Sequence, residues 1–191
     1  MRRAGFLLIA GGATWLAGSV AAGLAFDSAE DPLPLPVVGL ALLGGLLAGW
    51  GAASLSTDLI SKWARLSVRA LSVSAFLLAL GMLSYGSGLP DLALTYLLVV
   101  VAVGILFFVV PVVFAAAGIG LIGDGSLGRW GGLALLATGL IGAVAYWSPL
   151  DITDAFVASP WWFSYPGIGW LILGLASVSD SRADLLMESD V

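Results

Sequence analysis

Residues 32–57 read PLPLPVVGLALLGGLLAGWGAASLST and contain no charged side chain. A helix that crosses the hydrocarbon core of a bilayer needs about 20 predominantly apolar residues. This segment is long enough, and we expect a membrane-spanning helix over residues 35–56.

Similar uncharged runs fill most of the chain. Of its 191 residues, 60% are hydrophobic and only 10% are charged, whereas a soluble domain has about 25% charged residues. The composition therefore predicts an all-α, polytopic integral membrane helix bundle with six transmembrane helices. We expect one domain, residues 1–179, with spans at about 4–26, 35–56, 66–85, 92–114, 130–147 and 161–179. A short acidic tail, residues 180–191, should follow it and be disordered.

The uncharged run 92–123 is longer than one straight span requires. Pro111 lies inside it, and proline lacks a backbone N–H and clashes with the preceding helical turn, so a kink is expected there. We expect the span to end at Phe114. The stretch AAAGIGLIG, Ala115–Gly123, should then form a glycine-loosened extension on the cytoplasmic side.

The charged residues indicate the orientation. With six spans and the N-terminus inside, all seven basic residues fall in cytoplasmic segments. They are Arg2, Arg3, Lys62, Arg65, Arg69, Arg129 and Arg182. The outer segments then contain only acidic charges, and a Lys/Arg bias in short loops sets the orientation of membrane proteins. We therefore predict a multi-pass protein of the cell (cytoplasmic) membrane with both termini cytoplasmic. In an alternative interpretation the first span is a cleaved secretory signal, which leaves five spans.

Small residues at four-residue spacing suggest helix-packing faces. Residues four apart share one side of a helix, and small side chains there let two membrane helices approach closely. The first span has such a row at Ala13, Ala17 and Ala21, and the second has another at Ala41, Gly45, Gly49 and Ala53. Packing within one bundle is the simpler interpretation. Self-association through one of these faces is the alternative.

Two groups of residues are candidates for docking lipids or partners. Lys62, Arg65 and Arg69 begin the third span at spacings that place them on one helical face, and Asp58 precedes Lys62 by the four residues that suit an ion pair. They are expected to anchor the helix at the cytoplasmic boundary, or else to bind an anionic lipid or an acidic partner segment. Trp161 and Trp162 begin the sixth span, where aromatic residues form an interfacial belt or a lipid or partner site.

The composition also limits the chemistry. The chain has no cysteine and no histidine, which excludes thiol nucleophiles, thiolate metal sites and imidazole general bases. No ionisable residue lies deep in a predicted span, although proton relays and catalytic centres in membranes usually need one. We therefore predict no catalytic, cofactor or metal site and no enzyme activity. No basic stripe with interleaved aromatics occurs, which argues against nucleic acid as a partner.

These observations favour a small membrane protein that acts as a structural, assembly or accessory subunit. Its expected partners are membrane lipids and either other membrane-protein subunits or further copies of itself. The alternative is a channel or carrier for a small neutral or lipid-like solute. A pocket between spans three and four lined by Ser72, Ser84, Tyr85, Thr95 and Tyr96 would favour this alternative. An enzyme acting on lipids ranks third, since it needs Asp91 and Asp151 to converge.

The net charge of −5 and the single lysine suggest a salt-adapted source.

Overall fold

The computed structural model describes residues 1–25, 34–86, 101, 104, 108–125, 127–147 and 164–189. Six helices and no strand occur in these residues, which confirms the all-helical class. The helices are α1 (Arg2–Ala25), α2 (Leu35–Asp58), α3 (Lys62–Gly86), α4 (Val110–Asp124), α5 (Gly128–Trp147) and α6 (Tyr165–Ser189).

Three of these helices are long and apolar enough to cross a membrane. The qualifying segments are Arg2–Ala22, Leu35–Asp58 and Lys62–Leu83, while the apolar parts of α4, α5 and α6 are shorter. The outward surface is also apolar: Leu24, Trp50 and Trp63 are 79%, 66% and 77% exposed. Helices that are apolar all round belong in a protein core or in a membrane. The structure therefore supports a membrane protein.

The helices form a ring in chain order. Each helix contacts the next one along the chain, and α6 contacts α1. Neighbouring helices run antiparallel, as the α1–α2 crossing illustrates. Gly11 lies against Gly44 and Ala48 of α2. Gly18, which comes later in α1, lies against Ala41, which comes earlier in α2.

Large aromatic side chains fill the inside of the ring. Trp15 of α1 meets Trp170 of α6 edge to face, with ring centroids 5.3 Å apart. Phe114 of α4 meets Tyr165 of α6 in the same manner at 5.6 Å, although α5 lies between these helices in the ring. The Tyr165 hydroxyl donates a hydrogen bond to the Thr138 carbonyl of α5 at 2.9 Å. Because the rings of non-neighbouring helices touch, the described interior is packed rather than open.

The expected loosened extension at Ala115–Gly123 is wrong. These residues belong to α4, a continuous helix in which Ala117, Gly118 and Leu121 are buried. Gly118 allows α4 to lie directly on α5, because a Cβ atom there would come within 2.5 Å of the Leu136 backbone nitrogen. The helix ends at Gly125, whose φ of 71° is the left-handed conformation that glycine adopts at helix C-termini.

The predicted kink at Pro111 falls at a change of helical pitch. Phe108 and Val109 form a wide π-helical turn, and Pro111 lies in the first turn of the regular helix that follows. Wide turns of this kind accompany helix bends. Most residues that precede this turn lie outside the described part of the chain, so the kink itself stays a prediction.

The expected disorder of the acidic tail is wrong up to Ser189. The chain remains helical from Tyr165 to Ser189, so residues 180–189 extend α6 beyond its apolar part. The loops predicted outside, at residues 27–33, 87–91 and 148–160, lie outside the described residues, as do Trp161 and Trp162.

Candidate functional site at the charged end

The antiparallel ring gathers the charged residues at one end. The N-termini of α1, α3 and α5 and the C-termini of α2, α4 and α6 all lie there, and we call it the charged end. Six basic side chains described by the structure lie within two turns of it: Arg2, Arg3, Lys62, Arg65, Arg69 and Arg129. Arg182 belongs to the extension of α6 at the same end. The sequence placed these residues on one side of a membrane, and the fold brings them together.

Two carboxylates at the charged end hold helix termini. The Asp58 carboxylate, at the end of α2, accepts a hydrogen bond from the Met1 α-amino group and forms an ion pair with it. The Asp124 carboxylate, at the end of α4, accepts hydrogen bonds from the backbone N–H groups of Ile60, at 3.4 Å, and Ser61. Asp124 therefore caps the start of α3 from a different helix, as an acidic group does at a positive helix N-terminus.

Asp58 and Lys62, which the structure describes, do not form the expected ion pair with each other. A pair at four-residue spacing requires one continuous helix. Here α2 ends at Asp58, and the turn Leu59–Ser61 separates it from α3. The Asp58 carboxylate is bound to the Met1 amine instead.

The three basic residues of α3 have different environments. The Arg65 guanidinium donates to the Ile60 carbonyl at 2.9 Å, and the Arg69 Nε donates to the Ser56 hydroxyl at 3.4 Å. Both arginines therefore brace the α2–α3 turn. Lys62 is exposed and forms no ion pair with any described residue. Of these three basic residues, it is the one whose charged group has no described partner.

An apolar groove opens beside Lys62, between the start of α3 and the end of α4. It has a volume of about 630 Å³, within the range of roughly 300–1,000 Å³ typical of small-molecule sites. Its lining residues are Ser61, Trp63, Leu66, Ser67, Ala116, Ile119, Gly120 and Gly123. We call it the α3–α4 groove. The sequence did not indicate it, because it depends on how far apart two helices lie.

The predicted packing residues of α2 have three different surroundings. Ala41 is buried against α1, and Gly45 lies against Ala75 and Ala79 of α3. Gly49 lies under the Phe76 ring, where a Cβ atom would come within 2.9 Å of the ring carbons. Ala53, the last member of the row, is exposed.

The predicted row on α1 does not face the bundle. Ala13 and Ala17 are exposed and Ala21 is only half-buried. The close contacts of α1 are made by glycines instead. Gly11 and Gly18 lie against α2, and Gly5 and Gly12 lie against α6. The two glycines of each pair are seven residues apart, and each pair marks the line along which α1 contacts one neighbouring helix.

The buried hydroxyls are satisfied by carbonyl groups close by. Ser19, Ser74, Thr138 and Ser177 each donate to a carbonyl three or four residues earlier in the same helix. Ser72 donates across the α2–α3 interface to the Gly49 carbonyl at 2.8 Å. Among the described side chains only the Ser164 hydroxyl is buried without a partner.

The polar pocket that would favour a carrier is not found around Ser72 among the described residues. Ser72 faces α2 rather than α4. The side chains of Ser84, Tyr85, Thr95 and Tyr96 lie outside the described residues. Asp91 and Asp151, which an enzyme acting on lipids would need to bring together, also lie outside them. No cluster of three potential metal-binding side chains occurs in the part of the chain that the structure describes.

Comparison with protein-family models, with curated proteins and with solved structures finds no match to this chain. We therefore infer the function from the residues and contacts described above.

Proposed function

We propose that the protein is a six-span integral membrane protein with both termini cytoplasmic, and that it acts without catalysis as a structural, assembly or accessory subunit of a membrane complex. One observation carries the proposal. The described interior is filled with aromatic and aliphatic side chains, while large apolar side chains cover the outside. Such a molecule offers its outer surface, rather than an internal site, for interaction.

The contacts at the charged end support the same function. Its two described carboxylates hold a helix start and the chain terminus, and two of its arginines brace a turn. A catalytic group must touch a substrate, whereas these groups touch neighbouring parts of their own fold. Membrane subunits of this kind contribute exposed helix faces, and the exposed Ala13 and Ala17 offer one face on which a second helix can lie closely.

A carrier for a neutral or lipid-like solute is the competing function. It needs a polar path through the bundle, lined by hydroxyls or free backbone groups. The buried hydroxyls of Thr138 and Ser177 are bonded to carbonyls of their own helices, and Phe114 and Tyr165 close the interior between α4 and α6. These contacts favour the subunit function over the carrier.

The experiment is a pulldown of the tagged full chain from its native membrane in a mild detergent, followed by mass spectrometry. We expect specific membrane proteins at near-equal amounts. The control is an unrelated polytopic membrane protein that carries the same tag at the same expression level. A monodisperse monomer recovered without partner chains would overturn the subunit function. Solute-flux assays in liposomes would then test the carrier.

A further inference from the structure

We propose that the α3–α4 groove binds one phospholipid with an anionic headgroup, with one of its acyl chains along the groove and its phosphate beside Lys62. The site is independent of the subunit function, because it requires only that the protein reside in a bilayer. Its parts are an apolar channel, a free basic group at one end and an opening toward the bilayer.

The groove has the form that an acyl chain requires. Gly120 forms its base, where α3 and α4 come so close that a Cβ atom would lie 3.0 Å from the Ala64 Cα. Leu66 and Ile119 form apolar walls and are exposed, and Trp63 borders the groove near the charged end. Hydrocarbon chains gain free energy by covering apolar surface. The walls also face outward, so that a lipid can enter directly from the bilayer.

The charges at the groove favour an anionic headgroup. Lys62 lies one helical turn before Leu66 and therefore on the same face of α3. The two acids whose side chains are described at the charged end are already engaged, because Asp124 binds the α3 start and Asp58 binds the Met1 amine. The Lys62 ammonium is thus exposed beside the groove without a described counterion. Lysine commonly reaches along an apolar surface to place its charge at the headgroup level.

The end of the groove provides a substitution that fills it without disturbing the fold. A Cβ atom at Gly123 would meet no atom within 4 Å, so Gly123→Leu projects into open space. Gly39 in α2 has equally open surroundings and lies outside the groove. Gly39→Leu is therefore a matched control for the same change of residue.

The test is native mass spectrometry of the full chain in detergent, titrated with phosphatidylglycerol or with phosphatidylcholine. We expect one bound phosphatidylglycerol at about fivefold lower concentration than phosphatidylcholine, the preference that one basic side chain gives near an anionic surface. Lys62→Gln should abolish this preference. Arg2→Gln removes a charge from the same end on a helix that does not line the groove, and should leave the preference unchanged.

Gly123→Leu should weaken the retention of both lipids about tenfold, the loss expected when about 55 Å² of apolar contact disappears. Gly39→Leu should bind lipid as the wild type does. Ala116→Leu, on the opposite part of the groove lining, gives a second variant in case Gly123→Leu does not fold. Equal retention of both lipids by the wild type overturns the proposal, as does unchanged retention by the folded groove variants. Either outcome would favour an acidic segment of a partner protein, instead of a phospholipid, as the occupant of the groove.

Discussion

Individual glycines set how closely the helices of this protein approach one another. A Cβ atom on Gly44 would lie 2.6 Å from the Trp15 backbone nitrogen and 2.9 Å from the Gly11 carbonyl oxygen. Neither atom can move away without shifting the whole of α1. In contrast, Gly39, five residues earlier in the same helix, has no neighbour within 4 Å of that position.

This contrast predicts opposite effects for the same substitution. Gly44→Ala should lower the free energy of unfolding by about 1–3 kcal/mol, the usual cost of overfilling a packed site. Gly39→Ala should leave it unchanged or raise it by up to about 1 kcal/mol, because alanine favours helix more than glycine does. Reversible unfolding in mixed detergent micelles, followed by the helical circular dichroism signal, measures both. Equal stability of the two variants would contradict the packing at Gly44.

The sequence predicted correctly for some small residues, but not for others, that they face a neighbouring helix. The sequence selected Ala41, Gly45 and Gly49, and the structure places all three against neighbouring helices. It also selected Ala13 and Ala17, which the structure places on the outside. Side-chain size is visible in the sequence, but the direction in which a residue faces depends on the rotation of its helix. An apolar helix in a membrane gives little indication of that rotation, because both lipid and protein neighbours accept apolar side chains.

At the level of helices, the close seams repeat every seven residues. Gly5 and Gly12 of α1 lie against Gly174 and Gly167 of α6, respectively. Gly132 and Gly139 of α5 lie against α4 with the same spacing. Two turns of helix contain about seven residues, so a seven-residue repeat keeps one line of residues facing a partner along a long antiparallel contact. A four-residue row rotates away from the partner sooner, as Ala53 illustrates at the end of its row.

The start of α3 depends on a residue from another helix, which leads to a second prediction. Removing the carboxylate by Asp124→Ala should lower the free energy of unfolding by about 1 kcal/mol, the usual cost of losing a helix N-cap. Asp124→Asn keeps an oxygen that can accept the Ser61 N–H bond and should lose less. Amide hydrogen exchange at Ile60 and Ser61, together with the unfolding measurement, tests both variants. Unchanged exchange in Asp124→Ala would show that another group satisfies these amides.

At the level of the whole molecule, the fold and the charge pattern agree. The alternating ring brings the basic residues described by the structure to one end, and the positive-inside bias would place that end in the cytoplasm. Six crossings follow if the shorter apolar helices α4, α5 and α6 also span the bilayer.

Because the chain contains no cysteine, single cysteines can report on this topology without background labelling. We expect Thr57→Cys and Glu188→Cys to be protected from a membrane-impermeant maleimide in intact cells. Asp31→Cys and Asp154→Cys should react. Permeabilised cells provide the control, since all four positions should then react. Labelling of Glu188→Cys from outside would contradict the six-span topology, and with it a cytoplasmic C-terminus.

The sequence by itself determined the helical class, the membrane environment and the sorting of basic residues. These properties follow from length, hydropathy and charge, whose contributions add up residue by residue along the chain. The tertiary structure decided which glycines meet, that Asp124 caps α3, that Ala115–Gly123 is packed helix and that a groove opens beside Lys62. Each of these features depends on the rotation and separation of two helices. Helices that are apolar on every side leave those two quantities to be fixed by packing.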